Sequence, residues 1–284
     1  MPTSIIDIHP HIISSDTKRY PLAPLGGEQS GWSRDRPVSL EQLIAAMDAA
    51  GVAKAAIVHA STSYGFDNSY VADAVALHPA RFTGVFSVDV LAPDAPDRIR
   101  YWVGRKLTGL RLFTTGSTMP GQAPWLADAR LLPAWECAGE LGIPICVQMT
   151  SAAIPQLTQL LTRYPGIRVI IDHLMKPPVE DGPPYPRAAF LFELARYANV
   201  YLKLTTRNVV EARQGKATPE TFFSRLVQEF GASRIAWGSN YPASEGSLPE
   251  FVTAAKQALA ALPQSDQEWI FHRTAQALYP ALAD

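Results

Sequence analysis

The chain has 284 residues with a formal net charge of −1, and 47% of them are hydrophobic against 18% charged. That much apolar material supplies a large core and excludes disordered and fibrous classes, while the balanced charge offers no single-sign field for a phosphate backbone or an anionic membrane, so neither nucleic acid nor membrane is an expected partner. The two cysteines, Cys137 and Cys146, are too sparse for a disulfide or zinc framework; the first residues lack the apolar stretch of a signal peptide, and no run approaches about 18 apolar residues, so a cytoplasmic protein is expected.

Short β-rich runs alternate with helical periodicity along the chain. Strands are predicted over 4–9, 54–59, 82–88, 109–113, 143–148, 167–172, 200–204 and 234–237, with helices over 39–50, 70–78, 95–106, 131–141, 154–164, 187–197, 219–230, 248–262 and 265–278. Helix starts are marked by Ser39 with Gln42 three residues on and by Thr218 before Pro219, and helix ends by Gly51, Gly142 and Gly231. Eight strands joined by helices predict parallel pairing and a (β/α)8 TIM barrel, an α/β fold spanning 1–284 as a single domain. An open doubly wound sheet is the alternative; no glycine-rich phosphate loop follows any strand to support it. The long connection over residues 10–37 reads as a functional loop, in which Trp32 is part of a lid or only its packing anchor.

Three strand ends carry candidate chemistry. In Asp7-Ile8-His9-Pro10-His11, residues two apart should face one side near the carboxyl end of the first strand. Two imidazoles so spaced can share a metal or hydrogen-bond a carbonyl and an attacking water, and can equally be satisfied core histidines. Asp172-His173 ends the sixth strand, where the histidine either serves a site or caps a neighbouring backbone. Gly238-Ser239-Asn240-Tyr241-Pro242 follows the eighth strand, as a polar rim or a plain turn. Arg111, Lys176 and Arg207 fall at strand ends facing the same mouth; singly each reads equally as a surface charge, but together they suggest an anionic substrate, since arginine matches a carboxylate with two donors. Tyr64, Tyr185 and Tyr241 are further hydroxyl donors.

Together, the D-x-H-x-H of Asp7, His9 and His11, the D-H of Asp172 and His173, and the strand-eight segment resemble the amidohydrolase superfamily, and within it the branch that includes 2-pyrone-4,6-dicarboxylate lactonase, over almost the whole chain. The resemblance implies a hydrolase of aromatic catabolism that opens a carboxylated lactone. His9, His11 and His173 would be catalytic around the carbonyl, the strand-eight side chain, Asn240, would position water, and Arg111, Arg207, Gln148, Lys176, Tyr64 and Tyr241 would bind substrate. Two positions depart from the pattern. Asn240 stands where the family has a water-activating Asp, and an amide cannot accept a proton at neutral pH; the chain is either a branch with altered chemistry or an engineered variant. Gln148 stands where metal-dependent relatives present a histidine. A metal-free site with no cofactor is therefore expected; zinc or manganese, if bound, would use His9, His11 and His173. Metal-dependent decarboxylases or lyases, a lactone isomerase and a catalytically silent anion-binding barrel remain as rivals. The partner is a small anionic lactone or carboxylate, and assembly into a homo-oligomer is left open.

Overall fold

Eight short segments rich in valine, isoleucine and leucine pair in parallel, each with the next, in the computed structural model, which describes residues 4–113 and 123–283. They are β1 (Ile5–Asp7), β2 (Val52–Val58), β3 (Phe82–Phe86), β4 (Leu107–Phe113), β5 (Ile145–Gln148), β6 (Val169–Ile171), β7 (Val200–Thr205) and β8 (Ile235–Gly238). The Ile8 N–H donates to the Trp237 carbonyl (3.2 Å) and the His11 N–H to the Tyr241 carbonyl (2.8 Å), so β1 lies along β8 and the sheet nearly closes into a (β/α)8 barrel. Gly238 permits this closure, because a Cβ there would stand 2.7 Å from the Cβ of His9.

The helices begin and end for local reasons. Ser39 and Gln42 form a reciprocal capping box on the helix Leu40–Ala50, and Gly51, at φ 69°, ends it in the left-handed region that glycine enters cheaply. The Thr218 side chain accepts the Thr221 N–H at the start of Pro219–Phe230. Two expected helices differ. The segment over 187–197 is helical only over Ala189–Glu193, held between 3-10 turns so that the chain can enter β7 at Val200. The segment over 265–278 contains a wide π turn at Trp269–Arg273 that seats Ile270 and Phe271 in the core, Phe271 5.9 Å from the Trp237 ring.

Alternation along the strands divides the core. One apolar layer lies between sheet and helices, and a second fills the barrel with Ile6, Ile8, Val58, Val85, Cys146, Ile170 and Ala236. Tyr279 and Leu282, near the C-terminus, belong to this inner cluster, and Lys54 at the start of β2 donates to the Leu282 carbonyl (3.2 Å), which locates that plug at the amino-terminal end of the strands. The opposite end is left for polar residues. Among the described residues, no helix is long and apolar enough to cross a membrane.

Candidate active site

Asp7 does not take the inward phase expected for it. Ile6 and Ile8 occupy that phase, and the Asp7 carboxylate instead accepts the backbone N–H groups of His9 (2.9 Å) and Ser239 (2.8 Å), stitching β1 to β8. Burial is the main cause that raises its pKa to about 6. Just past β1, His9, His11 and His173 come together: the His9 ring lies 4.9 Å from both the His11 and the His173 rings. All three are buried, and burial with the nearby cations Arg111 and Lys203 keeps them neutral, His11 and His173 with pKa lowered to about 3. His11 Nδ1 is 2.8 Å from the Val58 carbonyl, which can only accept; Nδ1 therefore carries the hydrogen and Nε2 keeps a lone pair. His173 Nδ1 meets the Thr205 hydroxyl at 2.9 Å. Both ring nitrogens of His9 are buried without a hydrogen-bond partner among the described residues.

An ion triad lies inside the barrel beside these rings. Asp172 Oδ2 accepts from Arg111 Nε (2.7 Å), and Asp172 Oδ1 is 2.8 Å from Lys203 Nζ. Arg111 Nη2 also donates to Gln148 Oε1 at 2.7 Å, and its guanidinium lies 4.4 Å over the Phe113 ring. Burial alone would raise the Asp172 pKa, but the two cations more than offset it and hold the carboxyl well below the carboxylate range. Arg111 is thus fixed in place before any ligand arrives.

A cavity of about 290 Å³ opens at the carboxyl ends of the strands. Of the residues expected there, His11, His173, Asn240, Arg111, Gln148, Lys176 and Arg207 line it, whereas His9 packs beneath as part of the imidazole cluster. Arg207 is half exposed and already paired with Glu211 at 2.7 Å. Asn240 adopts φ 59°, which its residue type tolerates, and its amide donates to Ser244 Oγ (3.0 Å). Tyr64 and Tyr241 do not line the cavity, contrary to expectation. In the single turn Ser61–Tyr64, Ser61 and Thr62 reach the cavity while Tyr64 turns away and its hydroxyl accepts the Ser14 N–H (2.7 Å); Tyr241 packs on Phe251, 6.3 Å between rings. Tyr185 is also elsewhere, its buried ring's hydroxyl 2.6 Å from that of Thr221. Trp32, on the short helix Gly31–Asp35, lines the cavity with its ring 5.0 Å from His11.

Sequence reasoning missed the cavity hydroxyls Ser30, Ser61 and Thr62 and, among the charged and titratable groups, Lys203 and His59. Lys203 is a lone lysine amid apolar neighbours on β7, and in a closed barrel the phase opposite Leu202 and Leu204 faces inward; that was its signal. His59 ends β2 much as His173 ends β6. It lines the cavity with Nε2 2.8 Å from the Gly65 carbonyl, and burial lowers its pKa to about 4.

For a resident divalent metal the donors here would be the imidazoles of His9, His11 and His173, and the charges around them oppose one. Among the described residues no three His, Cys, Asp or Glu side chains converge to hold one. Near the imidazoles, Asp172 is held by two cations and one Asp7 oxygen by two N–H groups, Gln148 and Asn240 are neutral, and Arg111 and Lys203 oppose a dication.

The amidohydrolase family profile matches residues 6–281. The chain is 28% identical over 210 residues to the L-fucono-1,5-lactonase of Burkholderia ambifaria, covering 73% of this chain and 70% of that one. A Pseudomonas putida structure whose proposed activity is 2-pyrone-4,6-dicarboxylic acid hydrolysis superposes with a TM-score of 0.80 at 23% identity, covering 100% of both chains. A Burkholderia multivorans amidohydrolase with bound zinc gives 0.76 at 19% identity, over 98% of this chain and 99% of that one.

Proposed function

Because the chain belongs to the amidohydrolase family, we propose that it hydrolyses the ring ester of a small lactone. The observation that carries this reading is a group of buried, neutral imidazoles beside a guanidinium already fixed at the cavity floor. Water attacks the lactone carbonyl while a neutral imidazole accepts its proton. The oxyanion that forms lies against Arg111, whose orientation is set in advance by Asp172 and Gln148, the kind of prearranged charge that stabilises a tetrahedral intermediate. As the ring C–O bond breaks, the imidazolium returns the proton to the leaving oxygen, so lactone and water give one hydroxy acid. The donor set supports a reaction without a resident metal, and two free, buried thiols support a cytoplasmic setting.

For the substrate, Arg111, Lys176 and Arg207 around one cavity support a carboxylated lactone. A second reading, a neutral polyhydroxylated lactone, is favoured by a specific feature: Ser30, Ser61 and Thr62 line the same cavity with the Trp32 indole, and Glu211 already neutralises Arg207. Proton release measured by indicator dye over a panel of carboxylated pyrone-type and neutral sugar-type lactones tests both. Hydrolysis of either class supports the reaction and selects the substrate. Release of carbon dioxide from carboxylated aromatic acids, or tight binding without turnover, would replace it with a decarboxylase or a silent binding barrel.

A further inference from the structure

We propose that Thr205 and Asn208 are positioning residues that hold His173 as its Nδ1–H tautomer, leaving Nε2 as the lone pair that takes the proton from the attacking water. Only that last role rests on the lactonase reading; the tautomer follows from hydrogen-bond directions.

The Asn208 side chain is the starting point, because its orientation is fixed from both ends. Its Oδ1 lies 3.0 Å from the Thr205 backbone N–H, which can only donate, and its Nδ2 lies 2.9 Å from the His173 carbonyl, which can only accept. Oδ1 is therefore the oxygen. The Thr205 hydroxyl lies 3.1 Å from that oxygen and must give its single hydrogen to it. The hydroxyl oxygen also faces His173 Nδ1 at 2.9 Å, and with its hydrogen on Asn208 Oδ1 it can only accept there, so Nδ1 carries the hydrogen. His173 lines the cavity, and Nε2 is the nitrogen left for it.

His11 is held as the same tautomer by the Val58 carbonyl, but His173 is better placed as the proton acceptor. His173 has a carboxylate, Asp172, that favours positive charge on its ring against Arg111, Lys203 and Lys176, whereas His11 has no such carboxylate among its charged neighbours. Its tautomer also depends on side chains, which substitution can reach. A hydrogen bond to one ring nitrogen selecting the working state of the other is the general role of such partners, and a wrong tautomer removes the base while leaving the fold intact.

Histidine-selective ¹⁵N NMR at neutral pH, with His173 assigned by His173→Gln, reads the tautomer directly. The wild type is expected to show Nδ1 protonated and Nε2 bare. Asn208→Leu frees the Thr205 hydroxyl to donate to Nδ1, and Thr205→Val removes it; both should shift His173 toward Nε2–H and lower kcat about 10²-fold, in the range of lost general-base assistance, with KM changed less than about threefold. Thr205→Ser should keep the tautomer and the rate. Thr274→Val, which removes a buried hydroxyl bonded to the Ala232 carbonyl away from the cavity, should keep both as a folding control. An Nε2–H signal in the wild type, or an unchanged tautomer in both Asn208→Leu and Thr205→Val, overturns the proposal. An Nδ1–H signal in a protein that opens no lactone would retire the lactonase reading and leave the tautomer assignment standing.

Discussion

Replacing Asp172 by Asn should destabilise the protein more than removing either of its partners. Its side chain is 0% exposed, as is that of Lys203, while Arg111 is 6% exposed, and the two cations approach it at 2.8 and 2.7 Å. Asparagine keeps the shape but deletes the only negative charge of the triad and turns an NH2 toward a donor-only neighbour. Two buried cations are then left facing each other without an anion, and removing one member of such a group costs about 3–5 kcal/mol. That is a large part of the roughly 5–15 kcal/mol that stabilises a typical domain. Lys203→Met should cost less, about 1–3 kcal/mol, because Arg111 and Asp172 remain a balanced pair and only Asp172 Oδ1 loses its partner. The double variant Asp172→Asn/Lys203→Met should recover part of the single Asp172→Asn loss, since one of the two stranded charges is gone. Urea unfolding at pH 7.5, with unchanged m-values, measures all three. An Asp172→Asn protein within about 1 kcal/mol of wild type, or a double variant less stable than the single, would refute the reasoning that this triad is held by charge.

Stability should fall on acidification below about pH 6.5, because His11 and His173 (pKa about 3) and His59 (about 4) stay neutral in the folded protein and take up protons only on unfolding. The unfolded state then binds more protons, and each pH unit below 6.5 costs about 1.4 kcal/mol per such imidazole; Asp7, raised to about 6, works in the opposite sense between about pH 4 and 6 and offsets part of it. Urea midpoints at pH 5.5 and 7.5 check this, with a flatter slope in His59→Asn; a midpoint that rises on acidification contradicts it. Arg207→Met should change stability by no more than about 0.5 kcal/mol, as expected for an exposed i,i+4 pair, yet raise KM about tenfold for carboxylated lactones and leave neutral ones unchanged. Equal KM changes for both classes would remove Arg207 from substrate recognition. Asn240→Asp should alter kcat less than about tenfold, since His173 already accepts the proton; a gain of 10²-fold or more would mean that the native site lacks a base.

The barrel was legible because its signals are local and periodic. Runs such as Ala55–Val58 and Ile145–Val147 are short and apolar, and Ser39 and Thr218 start helices with capping chemistry that the structure repeats. The imidazoles of the cluster were legible because His9 and His11 follow the first apolar strand two residues apart and His173 follows the sixth. Direction was harder to read. Asp7 took the opposite phase because alternation alone does not say which set faces inward, and the bulky Ile6 and Ile8 fill the barrel; Tyr64 turned away on the one-turn helix that carries it. Lys203 was hidden because a lysine in a strand reads as solvated until closure of the barrel puts it beside Asp172. Arg207 illustrates the remaining gap: its place at a strand end is visible in the sequence, but its pairing with Glu211 depends on the short helix that follows β7.

The most direct test of the account is ring opening in ¹⁸O-water by chelator-treated protein, analysed by mass spectrometry of the product from the best lactone of the panel. One ¹⁸O atom in the product carboxylate, at a rate that chelation leaves unchanged and that His173→Gln lowers by 10²-fold or more, is the predicted result. A product without ¹⁸O, or activity lost on chelation and restored by zinc or manganese, would contradict a water attack driven by the imidazoles at the cavity floor.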